Sequence, residues 1–262
     1  MNATVETLTP RLIALVEEGG NANRVVLEGG PGFVVLRGAK GMAEVHVEAA
    51  GGRHLPDGFV VDMERVGRLD ALGLRQRTAA STFGGRWTIT DPASARQAAE
   101  KLLFVMQTIY GHGGPPTLRH RLEDRAPVEN PGLVQAMQRL GRTRTMGARI
   151  TLYNRLLGAR LLVLLDRRLE DPRRQDEAQL RVVEQLAGTD VVAAFTDDDA
   201  HRLYDPRERP FVQWTGREFF PLLAARKVGS LLLNPGSGTR GELYRNEIMT
   251  ISEGIQRESG LH

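Results

Sequence analysis

A break in the hydrophobic pattern near the middle of the chain sets the limits on its fold. Residues 111–130 have no apolar periodicity and are rich in Gly, Pro and charged residues, a composition typical of a linker. A chain of 262 residues is long enough for two domains of ordinary size. The sequence therefore predicts two domains, residues 1–111 and 131–262, joined by a linker over residues 112–130.

The first half alternates between helical and strand-like patterns. Apolar residues three or four positions apart indicate amphipathic helices, and short β-branched runs between glycine turns indicate strands. Asp91 and Pro92 are a typical N-cap and first residue for the clearest helical pattern. The predicted elements are a helix over 4–18, strands over 24–29, 32–38 and 43–49, a helix over 62–73, a strand over 86–90 and a helix from 91 to 111.

The second half begins with two helical patterns, and strands and helices then follow one another without a strict βαβ rhythm. We therefore expect the α+β class, with two domains that each pack helices on an antiparallel or mixed sheet. The predicted elements are helices over 133–157, a strand over 160–166, a hairpin within 179–199, a helix over 197–204, a strand over 210–214, a helix over 216–226, a strand over 230–234 and a helix over 244–256.

Composition excludes several classes of site. The chain has no cysteine, and so no disulfide, thiolate metal site or cysteine nucleophile. Its first twenty residues lack the basic region of a signal peptide. Its longest apolar run, residues 161–165, is too short to cross a bilayer. We expect a cytoplasmic protein without a membrane partner.

Positive charge is concentrated in one part of the chain. Residues 119–174 contain 13 Arg against 6 Asp or Glu, an excess of 13 − 6 = +7, whereas the whole chain has a net charge of +3. Contact with a phosphate backbone is one interpretation. Nucleic-acid surfaces usually add aromatic or lysine side chains, and Tyr153 is the only aromatic residue of this segment. Solvated arginine faces of two amphipathic helices are the simpler interpretation, and nucleic acid is not an expected partner.

The run LLLNPGSG, residues 231–238, has the form of a strand that enters a glycine-rich turn. A P-loop would need a lysine after its second glycine, and this run has none. Gly236, Gly238 and Gly241 match the spacing of a dinucleotide fingerprint, but the chain ends too soon for the βαβ unit that it needs. A type II turn is favoured, because Pro235 and Gly236 suit its two central positions.

Three acidic residues in a row, Asp197 to Asp199, suggest a metal site. Adjacent helix positions point about 100° apart, so the three carboxylates would not converge on one ion. A cap by Thr196 followed by acids that complement the helix dipole explains the run without a ligand. No histidine pair has H-x-x-x-H spacing, and no serine lies in G-x-S-x-G. We therefore assign no catalytic residue, no metal and no cofactor.

The ordered set of segments in the second half resembles the N-terminal domain of the SseB (enhanced serine sensitivity) family. The segments are NPGLVQAM at 130–137, LYNRLLGARLLVLL at 152–165, VVAAFTDDDA at 191–200 and GSLLLNPGSG at 229–238. The first half resembles YbjN-like and type III secretion chaperone-like domains through residues 68–90 and the helix that ends in TIYG at 108–111. Those domains have an N-terminal helix, an antiparallel sheet and a long C-terminal helix. The chaperone-like resemblance implies binding of polypeptide segments, often by a dimer.

These observations lead to two hypotheses of function. The first is a non-enzymatic, cytoplasmic adaptor or chaperone-like protein whose partner is another protein or a peptide segment, with a homodimer left open. The alternative is a regulatory protein that senses a nucleotide or an amino acid, in which Phe195, Trp214 and the Asn234 turn line one cleft and Arg240 meets an anionic group. The candidate residues for binding a ligand or a partner are Phe195, Asp197, Trp214, Asn234 and Arg240.

Overall fold

The structure is a computed structural model that describes residues 2–76, 78, 81–186, 188–258 and 260. The chain divides into two compact units, residues 1–126 and 127–262. Each unit combines its own six-stranded sheet with helices, which confirms the α+β class. Within the described part, no helix is both long and apolar enough to cross a membrane.

Unit 1 is an antiparallel sheet with helices. Its strands lie in the order β4-β5-β3-β2-β1-β6, and every pairing is antiparallel. The elements are α1 Val5–Glu17, β1 Asn23–Gly29, β2 Gly32–Ala39, β3 Met42–Ala49, α2 Met63–Ala71, β4 Arg75–Gln76, β5 Phe83–Thr88, α3 Pro92–Phe104 and β6 Thr117–Arg121, with one π-helical turn at Val105–Ile109 after α3.

Local signals fix the helix ends of unit 1. Thr4 and Thr7 form a capping box at the start of α1, and Asp91 and Ser94 form another at the start of α3. Gly111 has a φ of 65°, the left-handed conformation expected after the last turn. The predicted helices and strands of the first half are present, within a few residues at each end. Helices α1 and α3 pack on each other and share one apolar core with the sheet.

The segment interpreted as a linker is not all linker. Residues 117–121 form β6, which pairs antiparallel with β1 through Leu118 opposite Leu27. The compact units divide after residue 126. The prediction of a structureless 112–130 is wrong at β6 because one apolar residue in five gives no readable alternation. Its partner strand, and not its own pattern, makes it a strand.

Unit 2 is a mixed sheet covered by helices. Its strand order is β10-β7-β9-β11-β12, and β8 also pairs with β9. The pair β9–β11 is parallel and the other pairs are antiparallel. The elements are α4 Pro131–Thr143, α5 Met146–Gly158, β7 Arg160–Leu164, β8 Val182–Leu186, β9 Thr189–Phe195, α6 Asp198–Tyr204, β10 Phe211–Thr215, α7 Gly216–Ala225, β11 Ser230–Leu233, β12 Gly241–Tyr244 and α8 Arg245–Glu258.

The hairpin predicted within 179–199 is confirmed as β8–β9, although Ala187, the first residue of its predicted turn, lies outside the described residues. The short strands β4 and β12 were not predicted, because neither has an apolar alternation of its own. The larger core of unit 2 holds residues from α4, α5, α7 and α8 together with one face of the sheet. A smaller cluster lies on the other face with α6.

Candidate functional site

The carboxyl ends of β9 and β11 meet at one edge of the sheet in unit 2. These strands are parallel, and Ala194 lies opposite Leu233 at the end of the pairing. Thr196 and Asp197 follow β9, and Asn234 follows β11. In open sheets the carboxyl ends of parallel strands are where ligands commonly bind, so the polar groups at this edge need a full account.

Asn234 joins the two strand ends. Its Oδ1 accepts the Thr196 N–H at 2.8 Å, and its Nδ2 donates to Thr196 Oγ1 at 2.8 Å. Its own N–H donates to the Ala194 carbonyl at 2.9 Å. The residue is 2% exposed and has a φ of 50°. Both polar atoms of the amide are therefore engaged within the unit, and Asn234 acts first as a structural link.

The run after Asn234 is a turn, as predicted. Ser237 N–H donates to the Asn234 carbonyl at 3.1 Å, and Gly236 has the φ of 81° that the third position of a type II turn requires. Thr239 N–H donates to Ser237 Oγ at 3.2 Å. Two of the backbone donors that a phosphate cradle would aim outward are therefore bonded within the loop, which argues against phosphate binding there.

Asp197, and not Thr196, caps α6, which corrects the predicted cap. Asp197 Oδ1 accepts the Ala200 N–H at 2.7 Å, and its Oδ2 accepts the Thr196 hydroxyl at 2.8 Å. Asp198 Oδ2 accepts the Val128 N–H at 2.9 Å, and Asp199 points to solvent beside Arg202. The three carboxylates face three different partners, and the described residues contain no cluster that could hold a metal ion.

Sequence reasoning missed a fourth member of this group, Asn130. Its Nδ2 donates to the Thr196 carbonyl at 2.7 Å and to the Arg160 carbonyl at 2.6 Å, so it ties the start of α4 to β7 and β9. An Asn before a Pro is an ordinary N-cap signal, yet its side chain makes no cap bond here. We call Asn130, Thr196, Asp197 and Asn234 the strand-end network.

Phe195 and Trp214 do not line one cleft. Phe195 lies opposite Leu162 of β7, whereas Trp214 lies opposite the neighbouring Leu161. Successive residues of a strand point to opposite faces, so the two rings lie on opposite sides of the sheet, in separate core clusters. This corrects the shared cleft of the ligand-sensing hypothesis.

Both rings have structural contacts on their own faces. The Phe195 ring lies 5.4 Å from the Tyr204 ring, and Trp214 Nε1–H donates to the Pro172 carbonyl at 2.9 Å. Arg240 is exposed and follows Thr239, whose Oγ1 accepts a hydrogen bond from Gln138 of α4. Arg240 therefore lies beside α4, and it makes no side-chain hydrogen bond or ion pair within the part of the chain that the structure describes.

A second group of residues in unit 2 is open to solvent. Met146 and Ile150, one helical turn apart on α5, are 70% and 52% exposed, and Tyr244 at the end of β12 is 57% exposed. The Glu247 carboxylate connects these elements. It accepts the Tyr153 hydroxyl at 2.6 Å and the Tyr244 N–H at 3.1 Å, and it pairs with Arg149 at 3.3 Å. We call Met146, Ile150 and Tyr244 the exposed apolar group.

The surroundings of Tyr153 favour its protonated form. Burial, followed by the hydrogen bond to Glu247 and its negative charge, raises the pKa of Tyr153 to about 12. Arg149 opposes this shift because a cation favours tyrosinate. The protonated phenol is therefore the form that donates to Glu247, and this hydrogen bond joins α5 to α8.

Comparison with known families places the exposed apolar group and most of the strand-end network in one matched region. Residues 133–250 match the model of the SseB protein N-terminal domain, which confirms the resemblance that the sequence indicates for the second half. The match runs from α4 into α8 and contains the exposed apolar group and three of the four members of the strand-end network. A search of curated proteins finds no match for this chain, and a search of solved structures finds none either.

Proposed function

We propose that this chain, whose residues 133–250 match the SseB protein N-terminal domain, is a cytoplasmic, non-enzymatic adaptor or chaperone-like protein that binds a segment of another polypeptide. The observation that carries the proposal is the exposure of Met146 and Ile150 on one face of α5. Large apolar side chains that share an exposed face are typical of surfaces that bind proteins. A methionine also suits partners of varied shape, because its side chain is unbranched and polarisable.

The strand-end network supports a structural role for the other candidate residues. The side-chain oxygens of Asn234 and Asp197 accept hydrogen bonds from Thr196 and from the first turn of α6. A ligand at this edge would have to break buried hydrogen bonds, each worth about 1 kcal/mol and more costly when left unsatisfied. The ligand-sensing alternative also loses the pairing of Phe195 with Trp214 on which it rested.

Selection of peptides against the full chain tests the proposal. A random peptide library displayed on phage is panned on the immobilised protein, and enriched peptides are measured in solution by fluorescence anisotropy. We expect enriched peptides to bind, and the double substitution Met146→Ser/Ile150→Ser to weaken binding about tenfold or more, because the apolar contact is removed.

The matched control uses two exposed apolar residues of unit 1. Val60 and Met63 are 70% and 83% exposed, so Val60→Ser/Met63→Ser removes comparable apolar surface from the other unit. We expect this variant to bind the peptides as the unsubstituted protein does. A library that yields no binding peptide, in repeated selections at low and moderate salt, would contradict the proposed function.

A further inference from the structure

The helices α4 and α5 contain several arginines and no acidic residue. Residues 130–165 contain six arginines and no Asp or Glu. Arg139, Arg142 and Arg144 lie at the end of α4 and just after it, and Arg149 lies on α5. All four are exposed, as are Met146 and Ile150. We call these six residues, Arg139, Arg142, Arg144, Met146, Arg149 and Ile150, the α4–α5 surface.

The arginines of this surface are short of partners. Arg149 pairs with Glu247, but Arg139, Arg142 and Arg144 make no ion pair or side-chain hydrogen bond with any residue that the structure describes. Exposed arginines elsewhere commonly have a carboxylate, as in Arg86–Glu44, Arg96–Glu100 and Arg217–Glu258. Within residues 139–150 the α4–α5 surface therefore offers three guanidinium groups without a described partner, together with two exposed apolar side chains.

We propose that the α4–α5 surface binds an acidic amphipathic segment of the partner polypeptide. The inference rests on the proposed function and specifies the partner's chemistry. Carboxylates of the segment pair with Arg139, Arg142 and Arg144, since a guanidinium binds a carboxylate through two parallel N–H donors. Apolar residues of the segment, three or four positions apart, cover Met146 and Ile150. Charge attraction speeds association and orients the segment, and the apolar contact slows its dissociation.

Two other occupants fit less well. A phosphate backbone would use the arginines but would gain nothing from Met146 and Ile150, and single-stranded nucleic acid stacks on aromatic rings rather than on aliphatic side chains. A second copy of this chain, docked with the same face, would bring one set of unpaired arginines against another, and like charges across an interface are unfavourable. An acidic amphipathic segment satisfies both the charge and the apolar centre.

The test measures binding of defined probes to the full chain by fluorescence anisotropy. The first probe is a labelled helical peptide of about 20 residues, rich in Glu, with Leu and Met every three or four positions. The second has the same composition in scrambled order, and the third is a single-stranded DNA of about 20 nucleotides. We expect the amphipathic peptide to bind most tightly and to weaken as salt rises from about 50 to about 300 mM, because the attraction is screened.

Two variants locate the binding. Arg139→Glu/Arg142→Glu/Arg144→Glu is expected to weaken binding about tenfold or more, because three favourable pairs become repulsive. The matched control, Arg167→Glu/Arg168→Glu/Arg173→Glu, changes the net charge equally but alters exposed arginines in the loop after β7. It is expected to weaken binding less than about threefold, through long-range charge alone. Thermal unfolding checks that both variants fold, and Arg139→Gln/Arg142→Gln/Arg144→Gln replaces the first if it does not.

Several results would overturn the inference. Equal weakening by the control variant would show that only net charge matters. Tighter binding of the DNA than of the amphipathic peptide would assign the surface to nucleic acid. A dimer, measured by light scattering, that only the charge-reversed α4–α5 variant disrupts would assign the surface to self-association.

The phage selection separates failure of this inference from failure of the proposed function. If phage-selected peptides bind but are neither acidic nor sensitive to the charge reversal, this inference fails while the proposed function stands. If no polypeptide binds, both fail.

Discussion

Asn234 determines the conformation of the loop after β11. Few residues other than glycine adopt a positive φ without cost, and asparagine is one of them. At Asn234 the left-handed backbone ends β11 and starts the Pro235–Gly236 turn, while the side chain bonds to the end of β9. The loop that resembles a phosphate cradle in sequence is therefore built around a buried amide.

The first prediction concerns this amide. Asn234→Ala is expected to destabilise the protein by about 2–4 kcal/mol, because it leaves the buried Thr196 N–H without its acceptor and places a Cβ residue at positive φ. Asn234→Gly loses the same hydrogen bonds, but glycine adopts a positive φ without strain. The loss of stability should therefore be about 1 kcal/mol smaller than for Asn234→Ala. Urea unfolding measures both, and equal stability of all three proteins would refute the structural role of Asn234.

The second prediction is a pH dependence at Tyr153. Its pKa in the folded protein is about 12, above its ordinary value of 10.0, so folding favours the protonated phenol. The stabilisation is fully present below pH 10 and is lost as the pH rises through 12. Tyr153→Phe should lower the melting temperature at pH 8, where the bond to Glu247 is lost, and the difference from the unsubstituted protein should shrink above pH 10. A difference that stays constant from pH 8 to pH 11 would contradict the assignment.

At the scale of elements, close backbone approach decides where a glycine is required. A Cβ on Gly216, the first residue of α7, would lie 2.0 Å from the Leu156 carbonyl oxygen near the end of α5. Gly216 N–H also donates to the Ala159 carbonyl at 3.1 Å. Gly254, in the middle of α8, has open space at the same position. Both are single glycines in helical segments, but a side chain at position 216 would clash with backbone whereas one at position 254 would not.

The third prediction follows from this contrast. Gly216→Ala should destabilise the protein by about 2 kcal/mol or more, since the backbones of α5 and α7 must separate to admit the methyl group. Gly254→Ala should stabilise it by about 0.5–1 kcal/mol, since alanine costs less than glycine in a helix interior. Denaturant unfolding gives both values, and the idea of close packing fails if the two substitutions shift stability in the same direction.

At the scale of the whole molecule, the chain is organised as two units with separate cores. The core of unit 1 runs from Ala3 to Leu118, and the cores of unit 2 contain residues from Val128 onward. Each unit also has its own complete sheet. A piece of chain that contains all of one core and one sheet has what it needs to fold cooperatively.

The fourth prediction tests where unit 1 ends. Fragments 1–126 and 127–262 are each expected to unfold in one cooperative transition, monitored by circular dichroism. Fragment 1–111 lacks β6, which covers the edge of β1 and buries Leu118. It should be less stable than fragment 1–126 by at least about 2 kcal/mol, because the β1 donors and acceptors that face β6 lose their partners. Equal stability of the two fragments would place the boundary at 111 instead.

The sequence by itself determined the features that depend on a few neighbouring residues. The N-cap at Asp91, the type II turn at Pro235–Gly236 and most helix and strand positions follow from local hydrogen bonding and from apolar period. The α+β class follows from the order of those elements. The SseB resemblance also came from sequence, because it rests on short segments in a fixed order.

Only the tertiary structure decided the features that depend on partners distant along the chain. Strand β6 exists because β1 lies beside it, and β9 and β11 are parallel because of the route of the chain between them. Strand pairing also placed Phe195 and Trp214 on opposite faces, and folding brought Asn130 to Thr196 across 66 positions. The sequence of one segment does not show which distant segment will lie beside it. Strand pairing and burial depend on both segments, so these contacts become visible only in the folded structure.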